Sequence, residues 1–304
     1  MEQYPLVYVI TLLYNGKRWI EEFLRSVLES DYPNIRLLVI DNASKDDGVD
    51  CIEKNFPTVE VIKNEINLGT SKANNSGCRH ALKNGADYVF LINQDTVVTK
   101  NCISELVKLA EKNPSVGMLV PVQYDYHNRN NMSITVKRLL ETEDNIVRRA
   151  DDYVVVKEVM GAGMLISKKF IEKAGLFDPM YFIYFEENDL VRRGYYHGFE
   201  SAFSLISKIF HWDTLIHQQS QFANDLFKRN QLIMALKEPY RLFASNLFCY
   251  YTNLLAEKIK TEGAWKGIRR FFGIARKQIC VFFLFPAIIR NRYREKQAGC
   301  YINN

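Results

Sequence analysis

The sequence predicts an α/β protein: a Rossmann-like, mostly parallel sheet flanked by helices, followed by a helical C-terminal extension. Three observations carry this. Short β-branched runs alternate with segments of helical apolar spacing from the start of the chain to about residue 122. The strand-like runs are continuously apolar, as in a sheet buried on both faces. From about Gln221 onward only helical patterning remains.

In order, Leu6 to Leu13 reads as a buried strand, and Trp19 to Leu28 as a helix with Ile20, Phe23, Leu24, Val27 and Leu28 on one face. Ile35 to Ile40 is the second strand and ends at Asp41. Asp46 to Phe56 reads as a helix, Val59 to Lys63 as a short strand, and Thr70 to Asn84 as another helix. Tyr88 to Ile92 is the fourth strand and runs into Asn93-Gln94-Asp95. A helix from about Asn101 to Lys112 stops before Pro114, and Gly117 to Val122 forms a fifth strand. Residues 123–152 are polar and Asn-rich, and read as a loop or insertion over the site. Strand character returns at Tyr153 to Val159 and Met164 to Ser167, around Gly161-Ala162-Gly163. Pro239 separates a helix ending near Lys237 from the last helices, which divides the chain into residues 1–238 and 239–304.

The net charge of +5 is mild, but it is unevenly spread. Lys258 to Lys296 holds eleven Lys and Arg against Glu262 and Glu295, which leaves the remainder slightly acidic. The six cysteines (51, 78, 102, 249, 280 and 300) form no C-x-x-C pair. That pattern fits reduced thiols in a cytoplasmic protein better than a disulfide framework or a zinc site. No secretory signal pattern is read at the N-terminus, and the longest apolar run, Ile279 to Ile289, is interrupted by Pro286.

Ligands of open α/β sheets bind beyond the carboxyl ends of the strands. The polar clusters stand there: Thr11, Tyr14 and Asn15; Asp41 and Asn42; Asn93, Gln94 and Asp95. Asp41 can accept from a base N–H or a ribose hydroxyl, or it can simply cap the helix that follows. Gly69 opens a helix carrying Asn74, whose first N–H groups can face a phosphate or close an ordinary turn. Asp95 suits a divalent cation as a hard oxygen ligand, and equally a cap. Glu186, Glu187 and Asp189 place three carboxylates in four positions among aromatics. They read as a general base with raised pKa or as an acidic first helical turn. His211 follows a strand-like run, as a metal ligand or a hydrogen-bonded structural imidazole.

In this order the blocks resemble glycosyltransferase family 2, in its rhamnosyltransferase-like branch, over about residues 5–235. The resemblance rests on Thr11-Leu12-Leu13-Tyr14-Asn15, Val39-Ile40-Asp41-Asn42-Ala43-Ser44, Asn67-Leu68-Gly69 with Ala73-Asn74-Asn75-Ser76-Gly77, and Leu91-Ile92-Asn93-Gln94-Asp95. It continues through Gly161-Ala162-Gly163-Met164-Leu165-Ile166, Gly175-Leu176-Phe177-Asp178 and Tyr184-Phe185-Glu186-Glu187-Asn188-Asp189-Leu190. The resemblance implies a GT-A fold and an inverting transfer from a nucleotide-diphosphate sugar to a hydroxyl, with Mg²⁺ or Mn²⁺ as cofactor. It implies that Asp41 contacts base or ribose, and that Thr11 and Asn15 line the nucleotide pocket. Asp95 matches the last position of the family's Asp-x-Asp element, whose first position is here Asn93. The family's Glu-Asp-x-Asp-Leu block reads Glu186-Glu187-Asn188-Asp189-Leu190, which implies Glu187 as base with Glu186 and Asp189 as alternatives. His211 matches a histidine that completes the metal shell. Arg229-Asn230 matches a helix start to which no role is assigned.

The basic, aromatic C-terminal segment reads as helices lying on an anionic membrane surface, or packing on the catalytic domain or a dimer partner. The first alternative suits a glycan or lipid-linked acceptor handled at the inner face of the plasma membrane. No nucleic-acid-binding motif occurs. The competing readings are a catalytically silent nucleotide-sugar-binding module and a sugar-nucleotide pyrophosphorylase. The second lacks its glycine- and lysine-rich loop near Thr11 to Lys17.

Overall fold

Alternate residues of the first strand, β1 (Val7–Leu13), enter opposite cores. Val7, Val9 and Leu13 pack in one, Tyr8 and Ile10 in the other, so the sheet is covered on both faces. The computed structural model describes residues 4–159, 162–212, 221–239 and 241–303. After β1 come α1 (Lys17–Leu28), β2 (Ile35–Asp41), α2 (Gly48–Asn55), β3 (Glu60–Lys63) and α3 (Gly69–Lys83). Then follow β4 (Tyr88–Ile92), β5 (Thr96–Val98), α4 (Cys102–Lys112) and β6 (Val116–Asp125). Each sequence-predicted element of this half is present, displaced by at most a few residues at its ends.

The second half holds α5 (Ile134–Glu141), β7 (Ile146–Arg149), β8 (Tyr153–Val156), β9 (Gly163–Ser167), α6 (Lys168–Ala174), α7 (Glu186–Tyr196) and β10 (Glu200–His211). The strand order is β3-β2-β1-β4-β9-β6-β10-β8-β7, with β5 paired to β10. Strands β3, β2, β1 and β4 run parallel, as do β6 and β10, while β9 lies antiparallel between β4 and β6. Helices α1 and α4 bury Ile20, Phe23, Ile103 and Leu106 against one face. Helices α3, α6 and α7 bury Ala73, Cys78, Phe170 and Leu190 against the other.

Residues 123–152 are more ordered than a loop. Strand β6 continues to Asp125, and α5 inserts Val136 and Leu139 into the core. The buried Asn145 then ties this segment down, donating from Nδ2 to the Leu139 carbonyl (2.9 Å) and accepting at Oδ1 from the Glu158 N–H (2.8 Å). Two buried apolar residues in eight are too short a period to read as a helix. Gly161, Asp213, His217 and Tyr240 lie outside the described residues.

Two compact units result. The described residues of Met1–Phe182, Glu186–Leu215 and Ala298–Asn304 form the first. The extreme C-terminus thus belongs to the sheet-bearing unit. The Leu176 N–H donates to the Cys300 carbonyl (2.9 Å), and Tyr301 is buried. Gly175, at φ 81°, is required there, because a Cβ would stand 2.0 Å from the Cys300 carbonyl oxygen.

The second unit is Ile183–Phe185 with Ile216–Gln297. It contains α8 (Gln221–Leu236), α9 (Phe243–Glu262), α10 (Ala264–Lys277), α11 (Ile279–Phe282) and α12 (Phe285–Arg294). Packing therefore groups α8 with the last helices, upstream of the break expected at Pro239. The buried Lys237 explains part of this, since its ammonium pairs with the Glu295 carboxylate. Pro286 stands in the first turn of α12, where its missing N–H costs nothing. No helix among the described residues is long and apolar enough to cross a membrane.

Candidate active site

The loops after β1, β2 and β4 form one cross-linked edge. Asn15, at φ 50°, accepts at Oδ1 from the Lys45 N–H (2.8 Å), and its own N–H donates to Ser44 Oγ (3.1 Å). Asp41 is buried at the end of β2 and accepts from the Ser44 N–H through Oδ1 (3.1 Å). Gln94 exchanges two hydrogen bonds with the backbone of Tyr14, at 3.0 and 3.2 Å. A side chain at position 16 would collide with that amide, so Gly16 makes the bridge possible.

Several residues expected to meet a ligand also make bonds within the protein. Asn42 Oδ1 accepts from the Leu68 N–H (2.9 Å), and its Nδ2 donates to Asn67 Oδ1 (2.9 Å). The Gly69 N–H donates to Asn67 Oδ1, and the Thr70 N–H donates to the Phe182 carbonyl (2.7 Å). The first donors of α3 are thus satisfied without a phosphate. Gly69, at φ 75°, is there because a Cβ would stand 2.5 Å from the Phe182 carbonyl oxygen. Asn74 is buried on α3, while its neighbour Asn75 clasps the backbone of Phe177 through two bonds of 2.8 and 2.9 Å. Thr11 is fully buried in β1 and its hydroxyl makes no hydrogen bond, so it backs the loops rather than lining an open surface.

Asp95 and His211 come together from positions 116 residues apart in the sequence. Antiparallel pairing of β5 with β10 sets Thr96 opposite His211. That register brings His211 Nε2 to 3.1 Å from Asp95 Oδ1, with both side chains partly exposed. On the other ring nitrogen, Gln123 Nε2 lies 2.9 Å from His211 Nδ1. With the amide nitrogen presented, Nδ1 accepts and Nε2–H donates to Asp95. Turning the amide over would make Nδ1–H the donor and free Nε2 for a cation. A carboxylate oxygen and an imidazole are suitable ligands for a divalent metal, Mn²⁺ more readily than Mg²⁺. Among the described residues no third His, Cys, Asp or Glu joins them, and Asn93 stands exposed at the same turn. Beside the pair, Tyr126 and Trp212 stack with ring centroids 3.8 Å apart.

The three carboxylates of α7 have different surroundings. Asp189 is fully buried and neutralised, accepting from Arg192 (2.7 Å) and from Arg193 Nε (3.0 Å). Arg193 also donates to the carbonyls of Ala174 and Leu176 (2.7 Å for the latter), so the ion pair fastens α7 to the end of α6. Glu186 is buried, and its Oε2 makes no hydrogen bond. Burial, and then the neighbouring charge of Glu187, push the Glu186 carboxyl well above the usual carboxylate range. Burial also raises Glu187. The approach to α7 is strained, since Tyr184 and Phe185 both have φ 71°. Asn230, within the second unit, holds that approach by donating to the carbonyls of Ile183 (2.8 Å) and Tyr184 (3.0 Å). This gives the Arg229-Asn230 helix segment a role its sequence did not disclose.

Gln123 drew no notice in the sequence, and Asn75 and Ser44 stood there only inside motif blocks, without a role. Each is an uncharged polar residue whose partner is distant in sequence, so no spacing announces it.

A twisted, helix-covered sheet with polar loops at one edge is the architecture of GT-A glycosyltransferases. The mannosyltransferase PcManGT of Pyrobaculum calidifontis, solved with GDP-Man and Mn²⁺, superposes with a TM-score of 0.60 at 15% identity. That match covers 97% of this chain and 88% of that one. S. aureus TarS 1–349, solved with UDP, gives a TM-score of 0.58 at 14% identity over 84% of this chain and 73% of its own. The profile of glycosyl transferase family 2 matches residues 8–175, and the chain belongs to that family. Among curated relatives, the poly-β-1,6-N-acetyl-D-glucosamine synthase of Staphylococcus epidermidis is 26% identical over 172 residues. The alignment covers 54% of this chain and 40% of that synthase. Glycosyltransferase GlyG of Streptococcus pneumoniae serotype 4 is 26% identical over 129 residues, 41% of this chain and 42% of its own. The chain thus spans less than half the length of either relative.

Proposed function

We propose that this chain transfers a sugar, rhamnose being the first candidate, from a nucleotide-diphosphate donor to a hydroxyl of a glycan or lipid-linked acceptor, with inversion. The observation that carries this is the Asp95–His211 pair, set at the sheet edge where Asp41 and the loops around Asn15 and Gln94 are already braced. Those braces hold the loops before a ligand arrives, so little ordering cost falls on binding.

In this reading Asp41 keeps Oδ1 on the Ser44 N–H and offers Oδ2 to the base or ribose of the donor. Asp95 and His211 would hold a divalent cation whose charge offsets that of the departing diphosphate. Glu187 is the base that takes the acceptor proton as the hydroxyl attacks the anomeric carbon. Its upward shift by burial makes it a better proton acceptor than an ordinary surface carboxylate. Glu186, its carboxyl raised by burial and by the charge of Glu187, resists adding a second negative charge to the same turn. Asp189 stays with its arginines and positions the helix. Asn42 and the Gly69 N–H both bond to Asn67 Oδ1, and the next residue, Thr70, donates its N–H to the Phe182 carbonyl, four residues before Glu186. The second unit, with its exposed aromatics and basic helices, would rest on an anionic membrane where a lipid-linked acceptor resides.

The test is a panel of nucleotide sugars screened by thermal shift with and without Mn²⁺. A bound donor raises the midpoint, by an amount that grows with the logarithm of its concentration over Kd. The expected outcome is one preferred donor, metal-enhanced, with the enhancement abolished in Asp95→Asn. No stabilisation by any nucleotide sugar would overturn the assignment.

A further inference from the structure

The second unit carries a cleft of about 420 Å³ lined by five cationic side chains, one carboxylate, Gly273 and Ile274. Lys228 comes from α8, Glu262 from the end of α9, and Lys266, Arg269, Arg270 and Lys277 from α10. We propose that this cleft binds the phosphoryl group of a membrane lipid, so that the helical unit recognises a phosphate headgroup rather than merely a charged surface. The proposal deepens the membrane-contact reading and rests on it, but it does not require that the chain transfer sugar.

Three observations support it. First, the charge is concentrated without matching counter-charge. Lys277 pairs with Asp225 at 2.8 Å, and Glu262 is the lone carboxylate in the lining. Lys228 is pulled below the usual ammonium range, by burial first and then by the charges of Lys277 and Arg270. Crowded cations repel one another, and a multivalent anion relieves that repulsion. Second, the cleft is kept open at Gly273. Glycine inside a helix costs about 1 kcal/mol relative to alanine. A Cβ at Gly273 would meet nothing within 4 Å, so packing does not demand it. By contrast Gly267, on the same helix, is forced by the Lys258 carbonyl oxygen, 2.5 Å from where its Cβ would be. An empty position above a glycine, between Arg269, Arg270 and Lys277, is room for a ligand.

The third observation separates a lipid from a soluble phosphate. Trp265 is 88% exposed and Phe272 is 65% exposed, and both stand on α10 itself. Seven residues apart, they share one face, adjoining the stripe of Arg269 and Gly273. Large aromatics next to a basic stripe suit the interfacial layer of a bilayer, where phosphates lie beside acyl chains.

The experiment measures binding of the whole protein to vesicles by co-sedimentation. One set contains phosphatidic acid and another phosphatidylserine, at equal surface charge. The wild type should prefer the phosphatidic acid vesicles by about tenfold. Lys228→Gln/Arg270→Gln should lose that preference. So should Gly273→Leu, which fills the cleft and removes no charge. Lys260→Gln/Arg290→Gln, which removes two exposed charges outside the lining, should retain it. Inorganic pyrophosphate should release the wild type from vesicles better than sulfate at matched ionic strength. Equal binding by all variants, or release that follows ionic strength alone, would overturn the cleft and leave only generic surface attraction. If pyrophosphate binds the free protein but phosphatidic acid gives no advantage over phosphatidylserine, the lipid assignment is overturned. Circular dichroism and nucleotide thermal shifts on each variant separate these outcomes from misfolding and from failure of the transferase reading.

Discussion

Glu187 and Asp189 stand two residues apart on α7, yet their carboxylates have nothing in common but chemistry. Asp189 is enclosed and gripped by Arg192 and Arg193, and through Arg193 it ties together α6 and α7. Glu187 is half-buried, and that burial favours its protonated form. A helix turns about 100° per residue, so positions two apart point in widely different directions. An acidic turn is therefore not one kind of site. The helix supplies the carboxylates, and the surroundings tie Asp189 into the structure while leaving Glu187 the candidate for proton transfer.

The largest expected effect tests the first role. Glu187→Gln should lower transfer by about 10²–10⁴-fold while nucleotide-dependent thermal stabilisation is kept. In the wild type, the acid limb of the rate profile should lie above the ordinary carboxylate range, because burial raises the Glu187 pKa. Near-normal turnover in the variant would remove Glu187 as base and collapse the contrast with Asp189.

Asp189→Asn should cost about 3–5 kcal/mol of stability, because it leaves buried arginine charge uncompensated. Urea unfolding would measure it, and a change below 1 kcal/mol would show that the pair is dispensable.

The smallest effect concerns Glu186, and its sign is opposite. Its folded-state pKa lies above the unfolded value, so it contributes stability that is complete below about pH 4.3 and is lost as the pH rises toward the folded pKa. Glu186→Gln should therefore stabilise the protein by on the order of 1 kcal/mol at pH 7, with the gain gone at pH 4. A loss of stability at pH 7 would mean that the ionised carboxylate has a partner after all.

Much of the first half of the fold was legible. Runs such as Tyr88 to Ile92 admit few alternatives to a strand buried on both faces, and the apolar stripe of Trp19 to Leu28 declares its helix. The clusters at Asp41 and Asp95 stood out because they follow such strands directly. The segment 123–152 was not legible as structure, because α5 buries only Val136 and Leu139 and β7 pairs only at the sheet's margin. Nor was the division of labour among polar residues. Asn42, Gly69 and Gln94 stood out as ligand contacts; the structure also uses Asn42 and Gln94 as loop fasteners, with partners 25 and 80 positions away, and sets Gly69 against the Phe182 carbonyl.

What the sequence determined by itself was the alternation that makes a helix-covered sheet, the edge at which polar loops gather, and family membership. These follow from local periodicity and ordered motifs, which need no knowledge of distant partners. The tertiary structure alone decided that His211 meets Asp95 and that Asp189 serves arginines. It also placed the last residues of the chain back on the sheet-bearing unit. Each of those outcomes depends on strand register or on buried electrostatics between segments far apart in sequence, and neither is written in any single stretch of residues.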